Sequence, residues 1–527
     1  MEAVAEHVQP LPQVNPWLIA ATVMLATFME VLDTSVANVS LPHIAGSLSA
    51  GVDESTWVLT SYLVSNAIVL PLTGWFSDLF GRKRFFIACV SIFTVSSLLC
   101  GLAPSLPMLV VARVIQGAGG GGMQPVSQAI LVDSFPRSKQ GMAMAIYGMG
   151  VVVAPTLGPT LGGWITDNYT WRWIFFLNVP VGIVSLLMIS VLIADPAHAI
   201  YKGFRQGLKI DFVGLGFLGV GLGFLQVVLD KGERDDWFGS SFIVWMTVVC
   251  VVSLIALIVW EMRAENPVVD LRLFRDRNFA ISTFMMYALG VVMYGTTVLL
   301  PIMLQTLMGY TAERSGFVLM PGGLLLLGML PCVGFLLGRI EPRWIVMCGL
   351  CTMAMGLYQL SHLNLDVASR SPIIDWTISR AGTAFLFVPI NVMAFYFVPP
   401  GKMNNASGMI NLARNIGAST GISFVTTMLD RRAQFHQDVL VTKVHAGNVD
   451  YQAAMHNLIH VLITRGADAA RAVSQAHGLL YQELQRQAMM LSFVDDFRVM
   501  ALVCLCVLPL MFLMRGGRPR SGGPPVH

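Results

Sequence analysis

The chain is short of charge. Asp, Glu, Lys and Arg together make up 12% of its 527 residues, about half of the roughly 25% usual in soluble domains. A soluble protein of this length with so little charge is excluded, because 55% of the residues are hydrophobic and the mean hydropathy is +0.67. Long basic runs are missing too. The longest is Arg82-Lys83-Arg84 and the net charge is +3, which marks no nucleic-acid surface. No G-x-x-x-x-G-K-[ST] loop occurs, so the phosphate cradle of an ATP-driven pump is absent. The eight cysteines all fall in apolar segments without zinc-site or redox spacing, which excludes a disulfide framework and leaves them as small apolar side chains. The N-terminus carries Glu2 and Glu6 but no Lys or Arg. It lacks the basic region of a cleaved signal peptide, so the first apolar segment is expected to stay in the chain.

What the chain has instead is a series of long apolar runs. A span needs about 20 mostly apolar residues, and fourteen segments qualify, the first near 17–40 and the last near 496–514. The expected fold class is therefore an all-α polytopic membrane protein with fourteen transmembrane helices. The short connections on one face hold eighteen Lys and Arg, and those on the other hold only Arg172, Lys231, Arg234, Arg314 and Arg370. The first face is expected to be cytoplasmic, with both termini on it. The expected divisions are a cytoplasmic N-terminus 1–16, a six-helix half 17–194 and a segment 195–278 holding a cytoplasmic linker and two extra spans. A second six-helix half follows at 279–514, and then a cytoplasmic tail 515–527. The polar stretch 430–495 breaks the pattern. It contains helix-like runs at 451–465 and 467–490 and is expected to form a small helical element on the outer surface.

Several residues in these runs are out of place in lipid. The first span holds Glu30 and Asp33, and an acid at mid-membrane is a functional candidate by default. Glu30, Asp33, Thr34, Ala37 and Asn38 share one helix face. Arg113 lies in the fourth span on a face with Gln116, Gly117, Gly120 and Gln124. Counted at about 1.5 Å per residue, Asp33 and Arg113 sit at similar depth, so the geometry allows a pair or a water-linked relay between them. Such a group can carry protons, and a static buried ion pair is the alternative. Gln116, Gln124, Asn38, Asn411, Arg414 and Asn415 are candidates to line a substrate cavity. Arg380 is a further membrane cation. In the fifth span Gly150, Ala154, Gly158 and Gly162 recur every fourth residue, which lines small residues on one face for a close helix contact. Pro155 and Pro159 loosen the same helix. The spacing fits a sliding contact and a plain packing contact equally well. Gly74, Asp78, Gly81 and Arg82 close the second span, where Gly81 permits a tight turn and Asp78 is expected to hold an inner gate with the other half. Gly117–Gly122 spells G-x-G-x-x-G, but no strand precedes it and no ribose partner follows, so no dinucleotide site is expected. His456 and His460 stand at i, i+4 in the outer stretch without an acid or cysteine in register, which reads as a solvated helix face. No metal or cofactor site is expected.

The motifs carry a family resemblance. G-x-x-x-A-P-x-x-G-P-x-x-G-G in the fifth span resembles the antiporter motif of drug:proton antiporters in the major facilitator superfamily. V-L-D-T-S-V-A-N-V-S-L-P around Asp33 resembles the first-span motif of their fourteen-helix group. R-V-I-Q-G at Arg113 is similar to the superfamily's proton-transfer motif, and Gly74–Arg84 to its loop signature. Trp171–Gly182, Asn266–Leu271 and Arg414–Gly417 resemble the same group, closest to the EmrB branch of the EmrB/QacA family. The resemblance implies a major-facilitator fold and proton-driven export of hydrophobic or amphipathic drugs from the bacterial inner membrane. It also implies Asp33 and Arg113 as coupling residues, with Glu30 outside the motif. Further, it implies a periplasmic adaptor of the EmrA kind and an outer-membrane channel of the TolC kind. A dedicated exporter of one endogenous lipid, siderophore or sugar, and a non-transporting scaffold or membrane enzyme, are the alternatives.

Overall fold

The computed structural model describes residues 15–136, 139–194, 211–264, 267, 269–365, 370–399, 402–445 and 447–514. Residues 1–14, the linker stretch 195–210 and the tail 515–527, all expected to be cytoplasmic, lie outside the described residues.

Among the described residues the chain forms fifteen long helices. The first six are α1 (Pro16–Val39), α2 (Trp57–Phe80), α3 (Arg82–Leu102), α4 (Leu106–Ser134), α5 (Gln140–Asn168) and α6 (Asn178–Leu192). The pair α7 (Phe212–Lys231) and α8 (Ser241–Arg263) follows. Then come α9 (Arg277–Thr306), α10 (Ala312–Leu336), α11 (Pro342–Leu360), α12 (Arg370–Phe395), α13 (Met403–Val441), α14 (Val449–Thr464) and α15 (Ala469–Val507). Local chemistry sets several ends. Asn15 accepts a hydrogen bond from the Trp17 amide, with Pro16 in the first turn of α1. Asp211 caps α7 through the Gly214 amide. Gly81 joins α2 to α3 at φ 87°, a conformation that a side chain disfavours.

Helices α1–α6 form one half, and α9–α13 with α15 form the other. The halves meet along two seams, α5 against α10 and α2 against α13. Backbones touch at the first seam. A Cβ on Gly141 would lie 2.9 Å from the Gly334 carbonyl, and one on Gly334 the same distance from the Gly141 carbonyl. Helix α7 leans on both α2 and α13, and Gln226 on α7 hydrogen-bonds Ser419 on α13.

Ten of the described helices are long and apolar enough to cross a bilayer. Helix α5 makes an eleventh when its arms Gln140–Pro155 and Thr160–Asn168, bent by 47°, count as one span. Helices α4, α11 and α13 are long but less apolar. In α4 and α13 the reason is visible, since Arg113, Gln116, Gln124, Gln128, Asn411 and Arg414 all point inward and are buried.

Helices α13 and α15 have 39 residues each. At about 1.5 Å per residue that is about 58 Å, well beyond the ~30 Å hydrocarbon core. Their far ends and α14 form a helical protrusion where the sequence predicts one. His436 and Arg432 on α13 grip Asp495 on α15 at 2.8 and 2.5 Å and tie the base of this protrusion together.

Candidate functional site

The two acids of α1 lie one turn apart and are both buried, yet their surroundings differ. Asp33 accepts from Arg113 Nη1 at 2.6 Å, Asn178 Nδ2 at 2.6 Å and Gln116 Nε2 at 3.1 Å. Arg113 is fully enclosed. Its Nε donates to the Val58 carbonyl at 3.0 Å and its guanidinium lies 4.3 Å from the centre of the Tyr62 ring. Asn178 also donates to Ser97 at 3.0 Å. Every one of these groups belongs to α1–α6. Of the two arrangements that the sequence allows, the structure has the direct ion pair.

Glu30 accepts from the Tyr62 hydroxyl at 3.1 Å, from Asn66 Nδ2 at 3.3 Å and from Gln124 Nε2. Gln124 is two-sided, because its carbonyl oxygen accepts from Arg414 Nη2 on α13. Asn415 on α13 reaches Asn66 at 3.3 Å. The shell of Glu30 therefore crosses the α2–α13 seam. One turn further along α4, Gln128 takes hydrogen bonds from Ser407 at 2.6 Å and Asn411 at 2.8 Å and donates to Asn391 on α12. Tyr147 on α5 donates to Asn411 at 3.2 Å. Gln124 and Gln128 thus make two polar rungs between the halves.

Of the cavity candidates, Gln116, Gln124, Asn411, Arg414 and Asn415 enter these networks. Asn38 is exposed near the end of α1 and joins neither. Tyr62, Asn66, Asn178, Gln128, Asn391 and Ser407 belong to them although sequence reasoning did not single them out as site residues. The available signal was a lone polar residue in an apolar run, as Asn66 is in S-N-A-I-V-L-P.

The small-residue line of α5 meets α1, within its own half. A Cβ on Gly158 would lie 2.1 Å from Ser35 Oγ, and one on Gly162 3.0 Å from Val36 Cγ1. Gly150 faces Met24, and Ala154 is fully buried. Pro159, whose side chain lies outside the described residues, has no N–H for the Pro155 carbonyl four residues back. Ser35 Oγ donates to that carbonyl instead, at 3.3 Å. The line is therefore a close α1–α5 contact, while other faces of α5 meet α10.

At the end of α2, a Cβ on Gly74 would collide with the Asn405 side chain of α13, so this glycine lets the seam close. Arg82 pairs with Asp133 at 2.6 Å inside its own half. Asp78 is exposed on the last turn of α2. His456 and His460 are exposed on α14. A narrow, partly open apolar crevice between α9, α11, α12 and α15, lined by Met285, Met353, Ile390 and Cys504 among others, contains neither acid.

Comparisons with known proteins agree with this layout. The sequence profile of the Major Facilitator Superfamily matches residues 23–422. The chain is 35% identical over 520 residues to the multidrug export protein EmrB of Escherichia coli K12, covering 98% of each. It is 34% identical to the fatty acid resistance protein FarB of Neisseria gonorrhoeae, covering 95% of each. Among solved structures it resembles the proton:xylose symporter XylE in fold, with a TM-score of 0.60 at 13% identity, covering 94% of this chain and 95% of that one.

Proposed function

Because this chain belongs to the major facilitator superfamily, among its EmrB-type multidrug exporters, we propose that it exchanges protons for hydrophobic or amphipathic compounds by alternating access. It is a multi-pass membrane transporter and not an enzyme. The observation that carries the coupling part of the proposal is Gln124, which holds Glu30 with one end and Arg414 of the opposite half with the other. Protonating Glu30 removes a negative charge from that chain of contacts and loosens its hold across the seam. The Asp33–Arg113 pair sits beside it, inside one half, and fixes the local field.

The proposal takes α4, α11 and α13 as spans beside the more apolar helices, giving fourteen. Both termini then lie on one face, and the charge distribution of the short loops makes that face cytoplasmic. The protrusion of α13, α14 and α15 points outward, and the membrane is the bacterial inner one. A periplasmic adaptor, leading to an outer-membrane channel, would find its docking surface there. Gly74, Asp78, Gly81 and Arg82 act at the inner gate, and the Gly150–Gly162 line holds α5 to α1 while the seam opens.

The test uses the full chain in proteoliposomes. An imposed pH gradient is expected to drive ethidium against its concentration gradient, and a proton ionophore to abolish the uptake. Equal uptake with and without the gradient would rule out proton drive.

A further inference from the structure

Among the described residues three arginines are buried within the bundle, Arg113, Arg380 and Arg414, each at most 3% exposed. Arg113 has its carboxylate. Arg414 reaches the Glu30 shell through Gln124. Arg380, on α12, has neither. Its Nη2 donates to Thr297 Oγ1 at 2.6 Å and weakly to the Met293 carbonyl at 3.4 Å. Its guanidinium lies 3.8 Å from the centre of the Trp376 ring. Among the described residues no carboxylate lies within salt-bridge distance of it, and its Nε has no hydrogen-bond partner.

Two neighbours share this condition. Trp376 Nε1 and Thr383 Oγ1 are also without a partner, and these residues are 2% and 0% exposed. Trp376, Arg380 and Thr383 stand at i, i+4 and i+7, which is one face of α12. Indole and guanidinium can only donate. Packing alone accounts for part of the arrangement, since an arginine over an indole is a favourable pair. It does not account for three unmet donors on one face, nor for a buried cation left without an anion. What the cluster lacks is a negatively charged acceptor.

Arg380 lies ten residues into α12, about 15 Å at 1.5 Å per residue, which is half of a ~30 Å hydrocarbon core. A phospholipid headgroup belongs at the core's edge, so an anion at this depth arrives with a transported molecule. The lid over the cluster is α10. A Cβ on Gly322 would lie 2.8 Å from Trp376 Cδ1 and 3.1 Å from Arg380 Cγ. The same helix forms the α5–α10 seam, so separation of the halves bears directly on access to the cluster.

We propose that Trp376, Arg380 and Thr383 form an anion subsite of the transport path, which takes the carboxylate of an amphipathic substrate. The proposal rests on the export reading and adds to it a substrate class.

The experiment measures binding of radiolabelled decanoate and its neutral analogue decanamide to the full chain in nanodiscs, and ethidium export in proteoliposomes. The wild type is expected to bind decanoate about tenfold more tightly than decanamide, the size of one charge-assisted hydrogen bond. Arg380→Gln should erase this preference and Arg380→Lys should restore part of it. Thr383→Val, which keeps the arginine, should reduce the preference about two- to threefold, and it carries the test if Arg380→Gln does not fold. Equal binding of acid and amide by the wild type overturns the subsite, as does a preference unchanged in Arg380→Gln or, should that variant not fold, in Thr383→Val. Competition by phosphatidylglycerol in the nanodisc assigns the site to lipid and overturns it too. Absence of ethidium export by the wild type counts against the export reading itself. Export with equal binding of acid and amide removes only the subsite.

Discussion

Asp33 and Glu30 are the same kind of group, on the same helix, one turn apart and equally buried. They differ in whom they hold. Asp33 is served by Arg113, Gln116 and Asn178, all from α1–α6, so its shell lies wholly inside its own half. Glu30 is served by Tyr62, Asn66 and Gln124, and through Gln124 it is tied to Arg414 across the seam. A charge held inside one rigid body contributes to that body's stability. A charge whose partners sit on two bodies contributes to the equilibrium between their arrangements. Nearness to the family motif favours Asp33 as the coupling residue, while this geometry favours Glu30.

The largest effect is expected from Arg113→Ala. It leaves Asp33 buried and unpaired, which costs about 3–5 kcal/mol. Purified protein should unfold at markedly lower temperature and transport should be lost with it. Unfolding at the wild-type temperature would mean that the Asp33 shell does not hold its half together.

Neutralising the acids themselves separates the two roles. Glu30→Gln should remain folded but release no protons when substrate is added to proteoliposomes. Asp33→Asn should lower stability more and keep measurable release. The reverse pattern would return the coupling role to Asp33.

A third acid sharpens the contrast at the smallest scale. Glu233, on the turn after α7, hydrogen-bonds Asp430 on α13, and that contact with partial burial pushes its carboxyl up to about 7. A raised value favours the protonated form when folded. The contribution is complete below the ordinary value of 4.5 and is lost as pH rises through about 7. Hydrogen exchange in residues 231–239 should therefore quicken, beyond its intrinsic pH dependence, as pH rises from 6 to 8. Glu233→Gln should remove this extra change, and an unchanged profile in the variant would dismiss the pair as its source.

Much of this was legible in the sequence, and the physics explains where legibility stops. Helical depth placed Asp33 and Arg113 together because each needs only position along its own helix. The tight turn at Gly81 and the helical nature of the outer stretch are local properties as well. The bridge from Glu30 to Arg414 is not, because it passes through partners 94 and then 290 residues apart in the chain. Nothing in either segment states that the two helices are neighbours. The α5 glycine line shows the same limit. Its spacing announces a close helix contact, but the identity of the other helix, α1, is decided by the fold.

Helix α13 runs without interruption from the seam into the protrusion. From Arg414 to its end at Val441 is about 40 Å at ~1.5 Å per residue, so a tilt of about 10° at the seam would carry the tip about 7 Å. The helix is therefore a lever arm. In the proposed exchange, any rearrangement that protonation of Glu30 imposes on Arg414 would reach the far end of α13 enlarged.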